Sequence, residues 1–323
     1  MNGSLNLRAG ANGARILGFG DYRPRRIVTN EEISRRVDTD DEWIRTRVGI
    51  SERRFAGADE SIVDMSVAAA GKALANSGVL AEDIDTVIVA TCTAPAPIPG
   101  LAPEVAHRLS IGTPGAYDLN AACAGFCYGL SAAADAIRSG SSRYALVIGA
   151  ERLTDWTDQD DRGTCIIFGD GAGAAVVAAS DTPGIGPVVW GSDGEKSRAI
   201  SVADRFSYME MDGRSVYRWA TTRLADSARR ACELAGVDIG DIDAFVPHQA
   251  NLRIVDSMVK TLKFKDDIAV ARDIVTSGNT SSASIPLALT AMIERGEVKT
   301  GDTALLLGFG AGLTYAGQVI ICP

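Results

Sequence analysis

The chain repeats its own pattern. Gly78-Val-Leu-Ala-Glu-Asp83-Ile84-Asp85 returns as Gly236-Val-Asp-Ile-Gly-Asp241-Ile242-Asp243, with all five shared residues in register 158 positions apart. A second echo pairs Ala145-Leu-Val-Ile-Gly149 with Ala304-Leu-Leu-Leu-Gly308, 159 positions apart. Internal self-similarity of this kind points to a duplicated fold, because each copy specifies the same local elements in the same order. Each half then reads as a helix, a Gly-Val turn, Asp-Ile-Asp, a strand, and a glycine-bounded helix and strand. The division expected is residues 1–180 and 181–323.

The apolar pattern gives the class of those elements. Arg15-Ile-Leu-Gly, Thr86-Val-Ile-Val-Ala, Tyr144-Ala-Leu-Val-Ile-Gly and Ala304-Leu-Leu-Leu-Gly are near-continuous apolar runs, suited to strands covered on both faces. Between them, Ser66–Asn76, Phe126–Arg138, Thr222–Leu234 and Ile285–Glu294 carry apolar residues at helical spacing. Alternation of the two predicts an α/β protein.

Charge and cysteine usage exclude several functions. The net charge of −9 is the wrong sign for a surface that holds phosphate backbones, so no nucleic-acid partner is expected. No run approaches the apolar length of a membrane span, and the Met1-Asn2-Gly3-Ser4 start has no secretory pattern. Six cysteines then read as free thiols of a cytoplasmic protein. With only His107 and His248 for imidazole ligands, and Cys123 and Cys127 the only closely spaced cysteines, no metal site is expected. Gly169-Asp-Gly-Ala-Gly and Gly308-Phe-Gly-Ala-Gly each lead into a β-type run, where a dinucleotide fingerprint requires a helix.

Three positions carry chemistry. Cys123 lies in Asp118-Leu-Asn-Ala-Ala-Cys-Ala-Gly-Phe, where a strand hands over to a helix. The helix N-terminus would favour its thiolate, and small neighbours leave room for a substrate; a buried inert thiol is the alternative. His248 follows Ala244-Phe-Val-Pro, at the C-terminal end of a strand where α/β proteins place their sites. A structural role remains open for it, and is favoured for His107. Asn279, in Ser277-Gly-Asn-Thr-Ser-Ser-Ala-Ser, stands in a small-residue loop where Asn commonly shapes a turn. The repeat places the Cys123 and Asn279 loops at roughly matching points, so the halves bring Cys123, His248 and Asn279 toward one cleft.

These three motifs, with Asp41-Glu-Trp-Ile-Arg-Thr-Arg47, Asp161-Arg-Gly-Thr, Phe168-Gly-Asp-Gly-Ala-Gly and Gly308-Phe-Gly-Ala-Gly, resemble the β-ketoacyl-acyl carrier protein synthase III enzymes from about Gly18 to Ile321. The resemblance implies a thiolase-like fold of two duplicated halves with a five-layer αβαβα core. It implies a homodimer and a decarboxylating condensation of a short acyl-CoA primer with malonyl-acyl carrier protein, through an acyl-Cys123 intermediate. No cofactor is implied, since acyl-CoA and malonyl-acyl carrier protein are substrates. His248 and Asn279 would hold the enolate oxygen, and the backbone N–H groups of Cys123 and Ala311 the oxyanion. By the same carry-over, Trp43, Arg47 and Arg162 meet the adenine and phosphates of CoA. Gly213 and Asn251 line its pantetheine channel, while Gln249 and Arg253 meet the acidic carrier protein.

Departures from the family pattern concern the substrate. Ile98 falls where some members place a phenylalanine that crosses the dimer interface and closes the primer pocket, so branched or longer primers gain room. The stretch from Gly191 to Gly213 is shorter than in familiar members, and Ala311 stands where some relatives have glycine. Competing readings are a thiolase-fold acyltransferase that does not decarboxylate, a starter-unit priming enzyme of a secondary-metabolite pathway, a silent partner subunit and a cysteine hydrolase. Intact Cys123, His248 and Asn279 disfavour the silent subunit and the plain acyltransferase.

Overall fold

The computed structural model describes residues 8–323, so the Met1-Asn2-Gly3-Ser4 start lies outside the described residues. Two five-stranded mixed sheets form the frame. The first is built from β1 (Gly13–Tyr22), β2 (Thr86–Ala90), β3 (Gly115–Leu119), β4 (Tyr144–Arg152) and β5 (Asp170–Ser180), in the order β1-β5-β4-β2-β3. The second uses β6 (Val189–Ser192), β7 (Ala244–Pro247), β8 (Ala269–Val270), β9 (Thr303–Gly310) and β10 (Thr314–Ile321), in the order β6-β10-β9-β7-β8. Read this way, each sheet runs antiparallel, antiparallel, parallel, parallel across its four pairings. Thr86, which opens β2, and Ala244, which opens β7, differ by the 158 residues of the sequence repeat.

The apolar runs alternate between two cores. In the first sheet Ile88 and Val147 face the centre of the molecule, while Val87, Val89, Leu146 and Ile148 face outward. In the second, Ala304 and Leu306 face the centre and Leu305 and Leu307 the outside. A strand has side-chain period two, so a run with no polar break must be covered on both sides. Outer cover comes from α1 (Ile62–Ser77) and α2 (Ala102–Arg108) on the first sheet, and from α4 (Gly213–Ala235) and α5 (Leu252–Leu262) on the second. Between the sheets lie α3 (Gly125–Arg138) and α6 (Ser284–Glu294), whose Phe126, Leu130, Ile285 and Leu289 fill the central core. The result is the expected five-layer αβαβα arrangement.

One helix differs from its sequence expectation. α4 begins at Gly213, nine residues before Thr222, with Asp212 capping it by accepting from the Ser215 N–H. Its first turns bury Val216, Trp219 and Ala220 but set Arg214, Arg218 and Thr221 along a cavity. Polar residues needed on that second face blur the one-sided apolar stripe by which a helix is read.

Candidate active site

The turns entering the two central helices are built alike. In the first, Asn120 Oδ1 accepts from the Ala122 N–H at 3.1 Å; in the second, Asn279 Oδ1 accepts from the Ser281 N–H at 2.8 Å. Ala122 and Ser281 both take left-handed backbone, φ 45° and 48°. The matching pair is therefore Asn120 with Asn279, and the counterpart of Cys123 is Ser282. Asn279 shapes its turn through its oxygen, which turns its amide N–H₂ away from that bond.

Cys123, His248 and Asn279 meet in one cavity of about 870 Å³, whose lining also includes Phe309, Gly310 and Ala311. Gly310 leaves room for Cys123: a Cβ there would stand 2.7 Å from Cys123 Cβ and 2.9 Å from its Sγ. The backbone N–H groups of Cys123 and Ala311 and the Ser281 hydroxyl favour a thiolate at this sulfur, while Ser281 Oγ lies 3.7 Å from Cys92 Sγ. The thiolate expectation needs correction. Burial pushes the Cys123 thiol up to about 12, and the charge of Glu151 pushes the same way, against the hydrogen bonds from Ser281 and the backbone. Cys123 is only half-buried by exposure, yet desolvation of its sulfur at the cavity floor outweighs the helix terminus and favours the thiol.

His248 sits where β7 ends, with its N–H donating to the Leu307 carbonyl at 2.8 Å. Burial pulls its imidazole pKa down to about 3, so the ring is neutral near pH 7. Ser284 Oγ lies 2.7 Å from His248 Nδ1 and accepts from the Gln249 N–H at 3.3 Å. The Ser284 hydroxyl has no other acceptor among the described residues, so we assign its hydrogen to Nδ1, which places the ring proton on Nε2. Phe309 packs edge-on against the imidazole, ring centroids 5.2 Å apart at 75°.

At the mouth, Trp43 lies beneath two guanidinium groups, Arg162 Cζ at 4.6 Å and Arg47 Cζ at 5.4 Å from its ring centroid. Both arginines also line the cavity, as do Gly213, Asn251 and Arg253. Asn251 Oδ1 accepts from the Arg253 N–H at 2.9 Å, and its Nδ2 donates to the Arg47 carbonyl at 3.2 Å. Met209 and Met211, from the stretch between Gly191 and Gly213, form part of the wall.

Two expected contacts lie elsewhere. Gln249 is buried, with Nε2 donating to the Pro247 carbonyl at 2.8 Å and Oε1 accepting from the Ile274 N–H at 3.2 Å. Its polar atoms are thus engaged with the backbone, and it presents nothing to a docked protein. Ile98 is 83% exposed and outside the cavity of this chain, so a role at the pocket would need a second copy. His107 is exposed on α2, away from the cavity. Among the described residues there is no cluster of metal-ligating side chains and no helix long and apolar enough to cross a membrane.

The sequence reading missed Ser281, Ser284, Phe309 and Glu151. The serines stood inside a quoted motif but read as loop residues. Glu151 had one signal, an acid ending the otherwise apolar run of β4.

The comparisons agree with this geometry. The sequence model described as 3-oxoacyl-[acyl-carrier-protein] synthase III matches residues 117–194, and that of its C-terminal part matches residues 232–322. Beta-ketoacyl-[acyl-carrier-protein] synthase III of Streptomyces glaucescens is 49% identical, over 97% of this chain and 98% of its own. The mycobacterial beta-ketoacyl-[acyl-carrier-protein] synthase III of Mycobacterium tuberculosis is 48% identical, over 98% and 97%. Among solved structures, the priming β-ketosynthase of the R1128 polyketide biosynthetic pathway superposes with a TM-score of 0.96 at 47% identity, covering 99% of both chains. The synthase III of Aquifex aeolicus gives 0.92 at 38%, covering 96% and 100%. With its duplicated five-layer core and near full-length relatives, the chain belongs to the 3-oxoacyl-[acyl-carrier-protein] synthase III family.

Proposed function

We propose that the chain joins a short acyl group, carried from acyl-CoA on Cys123, to malonyl-acyl carrier protein with loss of carbon dioxide. The observation that carries this reading is the meeting of one thiol, two backbone N–H groups and two neutral side-chain donors on a single buried floor. Cys123 Sγ attacks the thioester carbonyl of acyl-CoA, and the N–H groups of Cys123 and Ala311 hold the oxyanion. CoA leaves as its thiol, carrying the proton that Cys123 gives up, and the malonyl thioester takes its place. Loss of carbon dioxide puts negative charge on the thioester oxygen, where His248 Nε2–H and Asn279 Nδ2–H stabilise charge that appears only then. The carbanion attacks the acyl-Cys123 carbonyl, a C–C bond forms, Cys123 leaves as thiolate and regains its proton from water, and the carrier holds a 3-oxoacyl product. A neutral His248 suits this role, since the step needs a donor and no proton transfer.

Delivery follows from the mouth. Trp43, Arg47 and Arg162 take the adenine and phosphates of CoA, Gly213 and Asn251 flank the pantetheine, and Arg253 offers a positive contact to an acidic carrier protein. Neither substrate brings a cofactor into this scheme. The duplicated halves divide near residue 180, and two chains pair along the free edge of β3, which brings Ile98 to the partner's primer pocket. Six unpaired cysteines suit the reducing cytoplasm.

A second reading, a starter-unit priming enzyme of a polyketide pathway, is favoured by the likeness to the R1128 priming ketosynthase. Both readings use the same chemistry and differ in primer.

The test is intact-protein mass spectrometry after mixing with acetyl-, butyryl-, isobutyryl- and longer acyl-CoAs. One acyl group mapped to the Cys123 peptide is expected, absent in Cys123→Ala. His248→Ala and Asn279→Ala should load yet fail to decarboxylate malonyl-acyl carrier protein. Full condensation by His248→Ala would sink the assignment.

A further inference from the structure

Arg53 and Glu151 are charged side chains with 0% exposure, and neither has an ion-pair partner among the described residues. A charge taken from water without a counter-charge is costly unless neutral groups hold it. The groups that hold these two converge on the turn that carries Asn279.

Arg53 lies on the short strand Glu52–Phe55. Its Nη1 donates to Asn30 Oδ1 at 2.8 Å and to the Val28 carbonyl at 3.3 Å, and its Nη2 donates to the Ile166 carbonyl at 2.7 Å. Burial draws its pKa down to about 10, which leaves it a cation near pH 7. Ile166 opens the segment 166–169, to which the backbone of Asn279 is tied. The Asn279 N–H donates to the Ile167 carbonyl at 2.8 Å, and the Asn279 carbonyl accepts from the Gly169 N–H at 3.0 Å. Arg53 Cβ sits against the glycines that flank this pairing: a Cβ at Gly278 would stand 2.9 Å from it, and one at Gly169 3.3 Å.

Glu151 reaches the same turn from its other end. The Thr91 and Thr93 hydroxyls donate to its Oε2 at 3.1 and 2.6 Å, as does the Cys92 N–H at 3.1 Å. Its Oε1 accepts from Ser281 Oγ at 3.0 Å and from the Ser282 N–H at 3.4 Å. The Ser282 hydroxyl stands 2.8 Å from both this oxygen and the Ala90 carbonyl. Ser281 is the residue whose N–H donates to Asn279 Oδ1, at 2.8 Å, and so sets the plane of the Asn279 amide. It does so from left-handed backbone, φ 48°, a conformation that a non-glycine residue keeps only when its surroundings hold it.

We propose that Arg53 and Glu151 are positioning residues for decarboxylation: Arg53 through the segment 166–169, and Glu151 through Ser281, fix the Asn279 turn and aim Asn279 Nδ2 at the enolate oxygen. This rests on the assignment of Asn279 as an enolate donor above. Acyl loading relies instead on the Cys123 and Ala311 N–H groups, which belong to the other turn and to the chain after β9.

The experiment compares wild type with Arg53→Met, Arg53→Lys and Glu151→Gln in two assays. Loading of Cys123 is followed by mass spectrometry with 4-nitrophenyl acetate, a donor that needs no CoA contact. Decarboxylation is followed by radiolabelled carbon dioxide release from malonyl-acyl carrier protein. Arg53→Met and Glu151→Gln should load at no less than about one third of the wild-type rate. Their kcat for decarboxylation should fall about 10- to 100-fold with KM nearly unchanged, as expected when a transition-state donor is displaced. Arg53→Lys, which keeps the charge and donors for part of the contacts, should lie between Arg53→Met and wild type. Should Arg53→Met fail to fold, as judged by circular dichroism, Arg53→Lys and Glu151→Gln decide. Equal losses in loading and decarboxylation would reduce both residues to general stabilisers, and wild-type decarboxylation by the variants would show that the turn holds itself; either result overturns the proposal. An Asn279→Ala variant that decarboxylates like wild type would overturn the enolate assignment, and the proposal with it. If Asn279→Ala fails and wild type condenses, that assignment stands whatever the Arg53 and Glu151 variants do.

Discussion

Ser284 Oγ stands 2.7 Å from His248 Nδ1, and donation from this hydroxyl to Nδ1 places the proton of the neutral ring on Nε2. The Gln249 N–H occupies an acceptor site of the serine and orients the hydroxyl toward the ring. Ser284→Ala removes the only side-chain partner of Nδ1 among the described residues and lets the proton move to it. Loading of Cys123 should be unchanged, while decarboxylation falls about 10- to 100-fold, as expected for weakening one donor of an oxyanion-type site. Radiolabelled carbon dioxide release alongside acyl loading checks the split; equal losses in both steps would refute it.

Gly310 faces the nucleophile across a gap that has no space for a methyl group. Gly310→Ala places a Cβ within 3 Å of both side-chain atoms of Cys123. We expect acyl loading to drop by at least about tenfold and the protein to lose roughly 1–3 kcal/mol of stability through overpacking. Chemical denaturation and the loading assay read the two effects, and a wild-type loading rate would show that the wall yields.

His248 makes stability depend on pH. Its folded pKa is lowered to about 3 by burial, against about 6.5 when unfolded. Between these values the unfolded chain binds a proton that the folded chain refuses, so stability falls as pH drops from about 6.5 toward about 3. Asp170, raised to about 6 by burial, acts in the opposite sense over part of that range. It is common to wild type and variant and cancels in a comparison. The melting temperature of wild type should therefore decline more steeply than that of His248→Gln between about pH 6.5 and pH 4. Parallel curves would contradict a neutral buried ring.

Trp43, covered by Arg47 and Arg162, offers a flat face that an adenine can share. Trp43→Ala should raise the KM for acyl-CoA about tenfold with little change in kcat, in keeping with the worth of one aromatic stack on a base. Steady-state kinetics decide, with an acyl donor lacking the nucleotide as control; an equal loss with that donor would move Trp43 out of the nucleotide site.

The free edge of β3 carries Tyr117, 43% exposed, and its Asp118 accepts from the N–H groups of Leu101 and Ala102, just after the Pro-rich turn that bears exposed Ile98. A second copy pairing there would give light scattering a mass of twice 33.8 kDa. Ile98→Asp should shift that mass toward one chain. A wild-type mass of one chain would withdraw both the dimer and the pocket role of Ile98.

Much of the frame was legible in one dimension because it depends on local periodicity. The 158-residue echo gave two like halves, and apolar runs such as Thr86–Ala90 announced strands covered on both faces. Chemistry was legible where a rare residue type stood at an element boundary: Cys123 before α3, and His248 after β7. The start of α4 escaped, since its Arg214, Arg218 and Thr221 face the cavity and dilute the helical stripe. The Gln249 contact failed for a related reason, because position within a motif does not reveal whether a polar side chain is spent on backbone.

The sequence by itself determined the elements and their duplication, and it marked Cys123, His248 and Asn279 as candidates, all through spacing along the chain. Only the tertiary structure decided protonation and orientation. Burial turned Cys123 into a thiol and His248 into a neutral ring, since the cost of desolvating charge depends on what encloses a group from every side. Contacts between residues 36 and 130 positions apart, Ser284 with His248 and Ser281 with Glu151, orient these side chains.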